Sequence, residues 1–147
     1  MVTDSSQSEA GAQRNLEALL ARALLLDLEV SHQGRILEIG AVLGRECLAH
    51  TGKASMAQAL DRLAVLARHA QCVLGHNLVR HDLQVLRDTH PRHPLLQLPV
   101  IDTLVLSPLC FPENPYHRLV KDYKLVRESL NDPVADARQA AALFGDE

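Results

Sequence analysis

Aromatic side chains are almost missing from this 147-residue chain: it has no Trp, two Tyr and two Phe. An aromatic core is therefore excluded, and 27 leucines make the core aliphatic. Cysteine is scarce as well. Cys47, Cys72 and Cys110 are odd in number and show no CxxC spacing, which argues against a disulfide framework and a structural zinc site. The eight His residues show no paired ligand spacing either. No apolar run approaches the roughly 20 residues of a membrane span, so no membrane partner is expected. The first twelve residues are rich in Ser, Gln and Ala and lack the apolar stretch of a signal peptide. A reducing, cytoplasmic location is the expectation. An excess of positive charge is absent too: 15 basic and 18 acidic residues give a net charge of −3. That excludes a uniformly basic nucleic-acid coat, though not a local basic groove.

What is present fits one globular domain, with 47% hydrophobic and 22% charged residues. Residues 1–12 are polar and expected to be disordered, and residues 13–147 form the domain. A short lead-in helix is predicted over residues 15–23. Residues 23–30 read as a buried strand and residues 35–43 as its hairpin partner, with a turn at His32-Gln33-Gly34. The alternation puts Ile36, Glu38 and Gly40 on one face of that partner and Leu37, Ile39 and Ala41 on the other. Residues 45–50 make an edge strand. Ser55 opens an amphipathic helix to His69, with Met56, Leu60, Leu63, Ala64, Leu66 and Ala67 on its apolar side. Then follow a strand at 72–75, a helix at 79–89, a short strand at 100–101 and a turn of helix to Leu106. Residues 112–124 read as a loop. Asp132 and Pro133 start a last helix whose stripe is Val134, Ala137, Ala141 and Phe144. Strands first, then alternating helix and strand, predict an α/β domain with a mixed sheet of about five strands flanked by helices.

Asp27 lies within the apolar run Leu24-Leu25-Leu26-Asp27-Leu28-Glu29-Val30, where an unbound carboxylate is costly. Glu29, two residues on, projects from the same face of a strand. Two readings fit the pair alone: acids in water at a strand end, or ligands of a divalent cation such as Mg²⁺, which takes oxygen donors. Two more segments carry an acid at a helix start. One is Gly75-His76-Asn77-Leu78-Val79-Arg80-His81-Asp82, and the other is Asn131-Asp132-Pro133-Val134-Ala135-Asp136.

In this order the three segments resemble the motifs of the DEDD superfamily of 3′–5′ exonucleases, which includes polymerase proofreading subunits and RNase T. Asp27 and Glu29 match the first motif, and Ile36-Leu37-Glu38-Ile39-Gly40-Ala41-Val42 resembles the family's second strand. His76, Asn77 and Asp82 match the second motif, and Asp136 the third. The stretch from Pro115 to Val126, with Asn131-Asp132-Pro133, is similar to the exonuclease-like domains attached to RecQ-type DNA helicases. The resemblance implies a ribonuclease-H-like fold, two Mg²⁺ or Mn²⁺ ions held by Asp27, Glu29, Asp82 and Asp136, and phosphodiester hydrolysis on single-stranded DNA or RNA. It also implies a domain within a longer chain, with a helicase beside it. In the family a His five residues before the last Asp, or a Tyr four before it, completes the site. Here those positions hold Asn131 and Asp132. Asn accepts no proton at neutral pH, so a slow nuclease or a non-catalytic interaction module is the alternative. His117, on the loop before the last helix, is the candidate substitute base. His76 and Asn77 are candidates for the substrate side, as are Tyr116, Arg118, Lys121, Tyr123 and Lys124, whose mixture of cations and rings suits a single strand.

Overall fold

The computed structural model describes residues 3–52, 54–110, 137, 138, 141, 142 and 144. Its centre is strand β1, Ala23–Val30. Leu is a mediocre strand former, so burial on both faces, rather than propensity, makes this segment a strand. Leu24, Leu26 and Leu28 point into one apolar cluster, while Ala23 and Leu25 point into another. β2, Ile36–Leu43, pairs antiparallel with β1, and β3, Glu46–His50, antiparallel with β2. β4, Cys72–Gly75, and β5, Val100–Asp102, extend the other side in parallel. The order β3-β2-β1-β4-β5 is a five-stranded mixed sheet of the ribonuclease-H-like kind.

One face of the sheet is covered by α2, Met56–His69, and α3, Leu83–Thr89. Ser55 caps α2, its side chain accepting the Gln58 amide at 3.4 Å, a cap worth about 1 kcal/mol. Leu60, Leu63, Leu66 and Ala67 sit at helical spacing and bury against Leu24, Leu26 and Ile39. Truncating the fully buried Leu63 to Ala costs about 2–5 kcal/mol by transfer and cavity terms. The opposite face is covered by the end of α1, through Leu19 and Leu20, and by helical residues Ala137, Ala141 and Phe144. The last helix's stripe, where it is described, packs as its spacing predicts.

Four details depart from the sequence expectations. First, α1 spans Thr3–Arg22, so residues 3–12 are helical rather than disordered. Once Leu19 and Leu20 anchor the C-terminal turns, adding residues upstream needs no new nucleus. Gln13 and Glu17 add a hydrogen bond four residues apart, 3.2 Å long. Second, Glu29 pairs with Glu38 but Val30 pairs with Ile36, so Leu37 is an extra residue in β2. This bulge turns Ile36 onto the face of Ile39 and Ala41 and leaves Leu37 half exposed. The sequence alternation places both residues on the opposite faces. Third, the helix expected at 79–89 starts with a wide π-helical turn, Leu78–Asp82, before α3. Fourth, α4, Thr103–Cys110, runs further than the single turn expected there. No helix among the described residues is long and apolar enough to cross a membrane.

Candidate functional site

β1 outruns β4. Its parallel pairing with β4 ends at Leu25 opposite Leu74, and the next four residues include Asp27 and Glu29. Both acids continue the face that begins with Ala23 and Leu25. Directly across on β2, Gly40 opposes Asp27 and Glu38 opposes Glu29. A glycine therefore leaves the space beside Asp27 without a cross-strand side chain, while two carboxylates face each other one pair further on. Like charges in directly opposed positions repel. Glu38 Oε2 is buried and has no hydrogen-bond partner among the described residues. Glu38 thus belongs with Asp27 and Glu29 as a third acid of this face. Its parity with Gly40 is the signal for it in the sequence, although the resemblance to known motifs assigns it no role.

The segment after β4 reaches β1 through a close approach. A Cβ on Gly75 would lie 2.6 Å from Leu26 O and 2.8 Å from Leu78 Cδ2, so only glycine lets the chain pass here. Asn77 then adopts the left-handed conformation, φ 59°, which Asn tolerates better than most residues. The π-helical turn follows, with the Leu83 amide donating to Leu78 O. It delivers Asp82 against the central strand. Asp82 Oδ2 accepts the Leu28 amide at 3.0 Å, and Leu28 stands between Asp27 and Glu29. Its Oδ1 lies 2.7 Å from His81 Nδ1. Burial pushes the Asp82 carboxyl up to about 6, against the His81 and Leu28 hydrogen bonds that pull it down.

Asp102, at the end of β5, holds this turn in place. Oδ1 accepts the Asn77 amide at 2.8 Å and the Leu104 amide at 3.1 Å, and Oδ2 accepts the Val79 amide at 2.9 Å. Next to it, the Thr103 hydroxyl donates to Gly75 O at 3.4 Å and lies 2.8 Å from His76 Nδ1. With the hydroxyl proton committed to the carbonyl, Nδ1 is the donor to Thr103. His76 therefore braces the turn against β5 and α4. The sequence patterns do not single out Asp102. An acid at the carboxyl end of a short parallel strand, where connecting loops gather, is the signal.

The structure thus brings the Asp82 segment to the Asp27 and Glu29 strand. Ala137, one residue after Asp136, is fully buried in the cluster that contains Leu25, two residues before Asp27. Asp136 itself, Asn131, His117, Tyr116, Arg118, Lys121, Tyr123 and Lys124 lie outside the described residues. Among the described residues no three His, Cys, Asp or Glu side chains are grouped to hold a metal ion. Asp82 Oδ2 accepts from Leu28 and Oδ1 lies against His81, and each carboxylate oxygen keeps a further lone pair. The donor chemistry still fits Mg²⁺ or Mn²⁺, because oxygen ligands suit both and Mg²⁺ takes as few as one or two protein carboxylates. In comparisons with known proteins, no family model matches the chain and no curated protein sequence does.

Proposed function

We propose that this domain is a metal-dependent 3′–5′ exonuclease of the DEDD type, acting on single-stranded DNA or RNA. The observation that supports it most is the docking of Asp82 on Leu28, between Asp27 and Glu29, on a sheet of ribonuclease-H-like order. Asp27, Glu29, Asp82 and Asp136 are the ligand set in this reading, with Glu38 adding negative potential from the next strand. Two divalent cations bound there supply activation of the attacking water and stabilisation of the leaving oxygen. The chain's own residues supply position. Asp102 and His76 fix the turn that carries Asn77 and Asp82. Arg118, Lys121 and Lys124 attract the phosphates, and Tyr116 and Tyr123 stack on bases. Asn131 orients a water by hydrogen bonding without taking its proton, and His117 is the candidate acceptor. The similarity to domains of RecQ-type helicases makes a helicase in the same longer, cytoplasmic chain the companion in this reading.

A second reading has its own support. With Asn131 at the base position and both Asp82 oxygens engaged, the fold also suits a non-catalytic module that binds nucleic acid or protein. End-labelled single strands incubated with Mg²⁺, with Mn²⁺ and with chelator separate the two. The nuclease shortens strands stepwise from the 3′ end with metal only, and Asp27→Asn abolishes this. Asn131→His then accelerates it by about tenfold or more, and His117→Ala slows it if that ring is the base. Strands that bind but stay intact in both metals, for wild type and Asn131→His alike, establish the second reading.

A further inference from the structure

Remote from the acids, α2 and the turn before residues 94–97 border an open hollow of about 450 Å³. One wall is a stripe of α2, with Ala57, Leu60, Ala64 and Arg68 at helical spacing. The stripe carries alanine at two of these positions. The facing wall is the turn His90-Pro91-Arg92-His93-Pro94, whose two prolines have fixed φ angles. His93 clamps the walls together: its Nε2 donates to Leu60 O at 3.0 Å and its Nδ1 accepts the Leu95 amide at 3.2 Å. The hollow is therefore preformed, and its volume lies in the range of ligand and peptide sites.

Charge says what fits. Arg68 and Arg92 both line the hollow, and neither has a carboxylate partner among the described residues. Exposed His90 lines it as well. Asp61 sits on the α2 wall about two turns from Arg68, so negative charge is favoured near the arginines and disfavoured beside Asp61. A uniformly anionic phosphate backbone matches this poorly. No aromatic ring lines the hollow on which a base could stack. The stripe from residue 57 to residue 68 is about 16 Å long, the length of about five extended residues.

We propose that this hollow is a docking site for a short peptide segment of a partner protein, one that seats an apolar side chain over Ala57 and Ala64 and sets carboxylates on Arg68 and Arg92. The site is separate from the acids of β1, so it serves recruitment whichever functional reading holds.

Panning a phage-displayed peptide library on the folded protein tests this. Enriched sequences carry Leu, Ile, Val, Met or Phe next to Asp or Glu. A fluorescein-labelled enriched peptide shifts the amide resonances of Asp61, Ala64 and Arg92 in the wild type. Its affinity falls by about tenfold or more in Arg68→Glu/Arg92→Glu and in Ala57→Phe, which are exposed positions whose melting temperatures stay near wild type. It falls also when the peptide's apolar residues become Ser. Lack of enrichment, shifts elsewhere, or unchanged affinity in the variants overturns the proposal. So does binding that survives loss of the apolar residues, which marks plain anion attraction. Displacement of the peptide by single strands, with equal loss of strand affinity in Arg68→Glu/Arg92→Glu, identifies a nucleic-acid surface instead.

Discussion

The Asp102 carboxylate accepts the Asn77 amide at 2.8 Å, tying the end of β5 to the turn that leaves β4. Through this bond and the one from Val79, a residue on a parallel edge strand positions the segment that carries Asp82. Removing it leaves three amide donors in a part-buried corner without their acceptor. We expect Asp102→Ala to cost about 2–4 kcal/mol in denaturant unfolding, because the lost bonds are charge-assisted. Hydrogen exchange at the Asn77 and Val79 amides should accelerate in parallel. Unchanged protection at both would mean that the carboxylate does not hold the turn.

Gly75 is the narrowest point between the two segments. Gly75→Ala sets a methyl group against Leu26 O, a backbone atom of the central strand that cannot swing aside. The expected cost is about 2–3 kcal/mol, as for overpacking elsewhere in cores. The Leu28 amide resonance should move too, since the displaced turn carries Asp82 away. A melting temperature within a degree of wild type would show that the strands separate freely at this point.

Asp82 links the site to pH. Its carboxyl lies at about 6 in the folded chain against 3.8 for the free group, so the folded state holds the proton more tightly. The associated stability is present below the unfolded value and is lost as pH rises through about 6. At pH 8 in chelator, the ionised, buried carboxylate thus costs about 2–3 kcal/mol. Asp82→Asn keeps an acceptor for the Leu28 amide without the charge. Its melting temperature should exceed that of wild type by several degrees at pH 8, with the gap closing near pH 4. A gap independent of pH would refute the assignment.

His93 works in the opposite direction. Burial lowers the pKa of its imidazole, and its two bonds hold it as the neutral tautomer with the proton on Nε2. Its contribution is present above the free value of 6.5 and fades as pH falls below it. We expect His93→Gln to lose about 1–3 kcal/mol at pH 8 and to show a weaker further loss between pH 7 and 5 than wild type. Parallel pH profiles for the two proteins would show that His93 does not set acid sensitivity.

Much of the architecture could be read from residue order. The expected limits of β1, 23–30, and of α2, from the Ser55 cap to His69, match those observed. These signals are local: apolar runs, helical spacing and a capping hydroxyl act over a few residues. The acid pair on one face of β1 follows equally from the two-residue period of a strand. Leu37 shows where that logic stops. Alternation puts it on the face of Ile39 and Ala41, but pairing with β1 inserts it as a bulge and leaves it half exposed. Likewise residues 3–12 carry no apolar stripe of their own. They are helical as an extension of turns anchored by Leu19 and Leu20.

Composition and order therefore determined the α/β class, the positions of the strands and the identity of the acids on β1. Only the tertiary structure decided that Asp82 meets Leu28, that Glu38 faces Glu29, and that Asp102 holds the turn between them. Those relationships join residues 54, 9 and 25 positions apart. They depend on strand register and on the absence of a side chain at Gly75, quantities set by packing across the sheet rather than by any neighbouring residue.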